Sequence, residues 1–109
     1  MPGTGGVLPR VAGASVGVME TRDNAEQTRY ELVDDDQVVA LADYRDQGDV
    51  RVLPHVETDP AHQGQGLAGQ LVAFALDDIR AQGKTVVPAC PFAAHYVAEH
   101  PEYADLVQR

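Results

Sequence analysis

Alternating apolar and polar residues predict β-strands in the first half of the chain. Three runs with this period-two pattern, Arg29–Val33, Val38–Tyr44 and Val50–Glu57, are separated by turn-forming residues. The first two runs flank an Asp-rich turn and therefore predict a β-hairpin. In the third run, strict alternation places Val50, Val52 and Val56 on one face and Arg51, Leu53, His55 and Glu57 on the other.

Helical periodicity follows in the second half of the chain. From residue 67 to residue 82 the apolar residues share one face, and Gly83 stands where a left-handed helix cap is expected. A short strand is predicted over residues 84–89. Because strand, helix and strand follow in this order, we expect a parallel pair of strands joined by a right-handed crossover, as in an α/β fold.

A second helix is predicted to begin after Cys90, because Pro91 suits the first position of a helix. Pro101 is expected to end or kink this helix, since proline disrupts a helix interior. The residues expected to face the core from this helix and from the chain end are Phe92, Tyr96, Val97, Tyr103 and Leu106.

Residues 1–24 are rich in glycine, proline and small side chains and show no sustained periodicity. We predict a flexible tail over 1–24, with one short strand near Val16–Met19, and a single domain over 25–109. No apolar run approaches the ~20 residues that span a bilayer. A secretory-signal pattern is missing and the one cysteine excludes an internal disulfide, so we expect a cytoplasmic protein.

The chain is acidic, with 17 Asp and Glu residues against 8 Lys and Arg residues and a net charge of −9. This balance argues against a nucleic-acid-binding surface, which needs clustered basic residues. It suits the attraction of a cationic substrate such as an amine or a lysine side chain. Acidity that only keeps the protein soluble is the alternative.

A glycine-bearing loop precedes the first helix. The first amides of a helix have no intrahelical partner, and the helix dipole adds partial positive charge there. Gly64 and Gly66 allow a sharp turn and a close approach of phosphate oxygens to the backbone. An ordinary strand-to-helix loop is the alternative. The residues predicted to bind phosphate through their backbone are Gln63, Gly64, Gln65, Gly66, Leu67 and Ala68.

The pattern Gln63-x-x-Gly66-x-Ala68 resembles the Q/R-x-x-G-x-G/A signature of the GCN5-related N-acetyltransferases, where it binds the pyrophosphate of acetyl-CoA. G-Q-G at 64–66, C-P-F at 90–92 and H-P-E-Y at 100–103 resemble the minimal, short-chain members of that superfamily. The similarity extends from about residue 28 to residue 107. It implies a reduced fold with a mixed sheet of about five strands, flanking helices and a V-shaped opening between strands 50–57 and 84–89.

The resemblance also implies an activity. We expect transfer of an acetyl group from acetyl-CoA to an amine or lysine-bearing acceptor, by a monomer or a weak homodimer. The alternatives are an acyl-CoA-binding module without turnover and a structural or interaction domain. Neither nucleic acid nor a membrane is expected as a partner. No metal is expected, because His62, His95 and His100 lack a ligand partner at metal-binding spacing.

The resemblance places the group that polarises the thioester carbonyl at the backbone of Val56 or Glu57. The Glu57 carboxylate could act as general base, directly or through water, and His55 on the same face could share the proton. A solvated carboxylate and a hydrogen-bonded structural histidine are the alternatives for these two side chains.

Cys90 lies where the N-terminus of a helix favours a thiolate. The resemblance marks it as a candidate catalytic residue, which would accept the acyl group transiently or donate a proton to the CoA sulfur. A small buried residue at the junction of strand and helix is the alternative. Tyr96 is a second candidate acid for the leaving thiolate, or else a core aromatic residue.

Overall fold

The computed structural model describes residues 19–108. Its elements follow one another as β1 (Met19–Asn24), β2 (Arg29–Asp34), β3 (Gln37–Gln47), β4 (Val50–Thr58), α1 (Leu67–Ala81), β5 (Thr85–Val87) and α2 (Pro91–Glu99). Short 3-10 turns occupy Pro60–His62 and Pro101–Leu106. The strands form one sheet in sequence order, antiparallel except for the parallel pair β4–β5, which confirms the predicted mixed sheet with flanking helices. Neither α-helix of this region is long and apolar enough to cross a membrane.

The hairpins close through residues with positive φ. Asp35 and Asp36 have φ of 52° and 68°, the left-handed values of a tight turn between β2 and β3. Gly48, with φ of 63°, closes the turn between β3 and β4. Because β2 and β4 both run antiparallel to β3, their C-terminal ends lie at the same edge of the sheet.

Helix α1 covers one face of the sheet. Its buried residues recur at helical spacing, as the sequence predicts, and are Leu67, Leu71, Val72, Ala75, Leu76 and Ile79. They pack against the inward-facing residues of β2–β4, which include Tyr30, Leu32, Ala40, Ala42 and Leu53. The apolar area removed from water at this contact is the main favourable term in folding.

The alternation of β4 is interrupted by a bulge. Asp43 of β3 pairs with His55, whereas Arg45 pairs with Val52, so three steps along β4 match two steps along β3. Pro54 lies within these three steps. Proline cannot donate to a β-ladder and is found in sheets at bulges and edges, so its presence explains why the register shifts here.

This bulge changes which residues share a face. Leu53 is fully buried and Val56 packs against the same core, although three positions separate them. His55 and Glu57 are exposed on the opposite side of β4. The prediction that these two side chains share a face is confirmed. Two other predictions were wrong: that Leu53 shares the face of His55 and Glu57, and that Val56 shares a face with Val52. Both assumed strict alternation, which does not allow for the extra residue of the bulge.

Two further predictions differ from the structure. Residues 19–24 form β1, paired antiparallel with β2, and so do not belong to the tail predicted over 1–24. The remainder of that prediction, with most of the strand predicted near Val16–Met19, lies outside the described residues. Phe92, expected in the core, is 39% exposed, because Ala93 and Val97 take the buried positions of α2.

The H-P-E-Y segment ties the chain end to α1. The Tyr103 hydroxyl donates to Asp77 at 2.9 Å, and the Arg80 guanidinium donates to the Asp105 carboxylate at 2.9 and 3.1 Å. Tyr103 and Leu106 are buried, which confirms that the chain end packs on the core. Residues 103–106 thus contact the C-terminal half of α1.

Candidate active site

Strands β4 and β5 separate halfway along β4. Their pairing joins Val50–Val52 to Thr85–Val87, and beyond it the Leu53 carbonyl accepts the N–H groups of Ala89 and Cys90, both at 3.1 Å. A cavity of about 470 Å³ lies near the end of β4. It is lined by Val56, Glu57, Thr58, His62, Gln63, Gly64, Gly66, Leu67, Ala68, Gly69 and Phe92.

The loop before α1 offers a row of free backbone donors. Within residues 19–108, no protein group accepts a hydrogen bond from the N–H groups of residues 64–69. The first helical bond runs from the Gln70 N–H to the Gly66 carbonyl. Gly64 and Gly66 have φ of 83° and 74°, left-handed values that favour glycine. Of the residues predicted to bind phosphate, all but Gln65 line the cavity.

The edge of β4 offers a second set of backbone groups. The Asp59 N–H donates to the Val39 carbonyl at 2.8 Å. Backbone groups in an antiparallel ladder alternate in direction, so those of Glu57 also point towards β3. The N–H and C=O groups of Val56 and Thr58 consequently point the other way, where β5 has left the sheet. Of the two residues predicted to polarise the thioester, Val56 has the amide that faces the cleft.

Glu57 and His55 form an exposed pair beside the cavity. The His55 Nε2 lies 2.6 Å from the Glu57 Oε1, and the two side chains are 53% and 60% exposed. Glu57 lines the cavity, whereas His55 contacts it only through Glu57. The contact between the two side chains therefore extends from the cavity lining to solvent.

Cys90 is the N-cap of α2 and is only 7% exposed. Its Sγ accepts the Ala93 N–H at 3.3 Å, so the sulfur already has a donor from the first turn of the helix. In the described part of the chain, Cys90 is not one of the residues that line the cavity. The sulfur is thus near the strand split but covered.

Tyr96 lies in an aromatic stack on α2. Its ring is 3.8 Å from the His100 ring, at an interplanar angle of 12°. Burial raises the pKa of the Tyr96 hydroxyl, and the carboxylates of Glu102 and Asp77 raise it further. Tyr96 does not line the cavity formed by the described residues. Stacking and partial burial agree with the core-aromatic alternative for this residue.

Four of the cavity residues, Thr58, His62, Gly69 and Phe92, were not predicted as site residues from the sequence. Phe92 contributes an apolar wall to the cavity, and its place in the C-P-F motif was the feature of the sequence that could have identified it as a site residue. His62 lies immediately before the loop and is the only ionisable nitrogen group in the lining formed by residues 19–108. The same residues contain no group of three or more His, Cys, Asp or Glu side chains that could hold a metal ion.

Comparisons with known proteins agree with this fold. The profile of the family described as GCN5-related N-acetyl-transferase matches residues 29–106. The NMR structure of a GCN5-like candidate N-acetyltransferase from Staphylococcus aureus is similar, with a TM-score of 0.65 and 19% identity over 82% of this chain and 87% of that chain. The ribosomal-protein-S18-alanine N-acetyltransferase of Escherichia coli matches with a TM-score of 0.54 and 25% identity. No curated protein matches the chain.

The two structural matches differ in extent. The match to the E. coli enzyme covers 65% of this chain and 48% of that enzyme, so this chain spans about half of it. The S. aureus match establishes the fold. The family profile covers the sheet from β2 onwards, both α-helices and every residue of the cavity. The chain therefore belongs to the GCN5-related N-acetyltransferase family and is an acetyltransferase.

Proposed function

We propose that this acetyltransferase moves the acetyl group of acetyl-CoA to an amine. The observation that carries the proposal is the row of free N–H groups at residues 64–69, which adjoins the same cavity as the edge of β4 and the Glu57 carboxylate. The cavity lining of the described chain includes no Lys or Arg, so backbone donors would have to bind the phosphates. The dipole of the 15-residue helix α1 favours an anion at this end.

The remaining cavity residues fit the rest of a CoA-type donor. Its amide-bearing arm can bind the free backbone groups of Val56 and Thr58 as an added strand would. Phe92 supplies an apolar surface for the arm. When bound, acetyl-CoA supplies the activated thioester, and the Val56 N–H would donate to its carbonyl oxygen.

The acceptor side is open to solvent. Glu57, at 60% exposure, would accept the proton of the attacking amine, and His55 would pass it to water. As the carbon–sulfur bond of the thioester breaks, the CoA thiolate would leave and take a proton from water. Because both side chains are exposed, the amine could be carried by a large molecule as well as a small one. The net charge of −9 favours a cationic acceptor.

Replacing Gly66 with alanine should weaken CoA binding by about tenfold or more. Gly66 has φ of 74°, a conformation that costs other residues about 1–2 kcal/mol, so the backbone of the loop should shift. Apart from Gly66 and its two neighbours in the chain, no atom of residues 19–108 lies within 4 Å of the added methyl group, so a clash with these residues is not the cause. Isothermal titration calorimetry with CoA measures the change.

Gly83 provides a matched control at the other end of α1. It has φ of 73° and also has open space around an added methyl group. Gly66→Ala and Gly83→Ala should therefore lose similar free energy of unfolding, while only the first should lose CoA affinity. Equal CoA binding by both variants, or no binding by the wild type, would refute the proposal that the N–H groups of residues 64–69 bind CoA, which is called the donor site below.

Incubation with acetyl-CoA should leave the mass of the protein unchanged. We infer direct transfer, because the covered Cys90 sulfur already accepts the Ala93 N–H. Cys90→Ser should keep both the helix cap and acetyl transfer, whereas Cys90→Ala should lose about 1 kcal/mol of stability with the cap. Intact-mass analysis distinguishes direct transfer from transfer through Cys90. A gain of one acetyl group in the wild type that Cys90→Ser lacks would instead establish an acyl-cysteine.

A further inference from the structure

His62 lies between the C-terminal end of β4 and the loop before α1, which carries the free N–H groups. It ends the 3-10 turn Pro60–His62 and comes directly before the loop that begins at Gln63. Its side chain lines the cavity and is 23% exposed. The proposed function uses the backbone of the loop and assigns no role to this imidazole.

Carboxylates face both nitrogens of the His62 ring. Nδ1 lies 3.6 Å from an oxygen of Asp59, and Nε2 lies 3.8 Å from an oxygen of Asp34 at the end of β2. The Nδ1 atom and the Asp34 Oδ1 atom are buried without a hydrogen-bond partner among the described residues. Glu57 is a further carboxylate of the same cavity, and no Lys or Arg of residues 19–108 lines it.

This arrangement suits one protonation state of the imidazole. A neutral imidazole has one N–H donor and one acceptor nitrogen, so it would turn a lone pair towards a carboxylate. The charged form presents an N–H group to each carboxylate. It also places a positive charge beside the loop where the phosphates would bind, which offsets the negative charge of Asp34 and Asp59.

We propose that His62 is a positioning residue for the acyl donor. The charged form of His62 links the loop to the ends of β2 and β4, and it offsets the negative charge around the phosphates. Binding of the acyl donor and protonation of His62 therefore favour each other. This inference rests on the donor site proposed above. It predicts that the protein takes up a proton at His62 when the donor binds.

The test uses dephospho-CoA, which keeps the pyrophosphate but lacks the phosphate monoester that would itself titrate near neutral pH. Calorimetry at about pH 5.5 and about pH 8 covers the range in which histidine changes charge. The affinity of the wild type should fall at least about fivefold over this range. The affinity of His62→Gln should be nearly constant and close to the wild-type value at the higher pH. His95→Gln, which removes an exposed histidine of α2, should behave like the wild type.

The outcomes separate this inference from the proposed function. A His62→Gln variant with the pH dependence of the wild type would overturn the role of His62, as would a wild-type affinity that does not change with pH. Absence of dephospho-CoA binding at every pH would instead refute the donor site. If His62→Gln does not fold, His62→Asn removes the same imidazole with a smaller side chain. A pH dependence undiminished in that variant would equally overturn the inference.

Discussion

Replacing Arg51 with methionine should lower the free energy of unfolding by about 2–4 kcal/mol. Arg51 is 5% exposed, and its guanidinium donates to both oxygens of Asp46, at 2.7 and 2.8 Å, and to the Tyr30 hydroxyl at 2.7 Å. It also lies 3.8 Å from the centre of the Tyr44 ring. Methionine preserves much of the packing but removes the charge, which leaves the acidic partners and the buried hydroxyl without their donor.

Several groups around Arg51 depend on its charge. Hydrogen bonding to Arg51 lowers the pKa of Asp46, and hydrogen bonding to Asp46 raises the pKa of Arg51. Burial raises the pKa of the Tyr30 hydroxyl, which donates to Asp78 of α1 at 2.8 Å. The network thus connects β2, β3 and β4 to α1, the helix whose first turn carries some of the free N–H groups.

Arg80→Met is the matched control for this prediction. Arg80 also makes a bidentate contact with an aspartate, Asp105, but the two side chains are 46% and 66% exposed. Exposed ion pairs contribute little, so this variant should lose much less free energy of unfolding than Arg51→Met. Urea denaturation followed by circular dichroism gives both values from the shift of the midpoint at unchanged slope. Equal losses in the two variants would show that burial of Arg51 has no special energetic role.

The features predicted correctly from the sequence are those set by local pattern. The apolar face of α1, the hairpin of β2 and β3 and the glycine loop before α1 each depend on neighbouring residues. Periodicity failed where one residue changed the register. Pro54 was the visible warning in β4, since a proline inside a central strand usually marks a bulge.

The candidate site also combines features that the local sequence shows with features that only the fold shows. The glycine-bearing loop before α1 is local and was visible in the sequence, but glycine spacing left an ordinary strand-to-helix loop open, and the family resemblance was needed to predict phosphate binding at residues 63–68. The choice of Val56 over Glu57 as the amide facing the cleft needs the register between β3 and β4, which the sequence does not show. Asp34 and His62 are far apart in the chain, and only the shared edge of β2 and β4 brings them together.

Replacing Glu57 with glutamine should lower kcat/KM for acetyl transfer by about 100- to 10,000-fold, the usual contribution of a general base. Glutamine keeps the size and hydrogen-bonding capacity of the side chain but cannot accept a proton from the amine. CoA affinity should change little, because the free donors of the loop are backbone groups of residues 64–69. The assay measures the release of free CoA thiol with the cationic amine that gives the highest wild-type rate.

Glu99→Gln is the appropriate control, because Glu99 also faces a histidine on the surface, with 3.5 Å between its carboxylate and His95 Nε2. That pair lies on α2 and does not line the cavity formed by the described residues. Its loss should leave acetyl transfer unchanged. A Glu57→Gln variant with the wild-type rate would remove Glu57 from the proton path, whereas saturable CoA binding without transfer to any amine would favour a binding module. The separate measurements of affinity and rate are therefore needed to distinguish a lost base from a lost donor site.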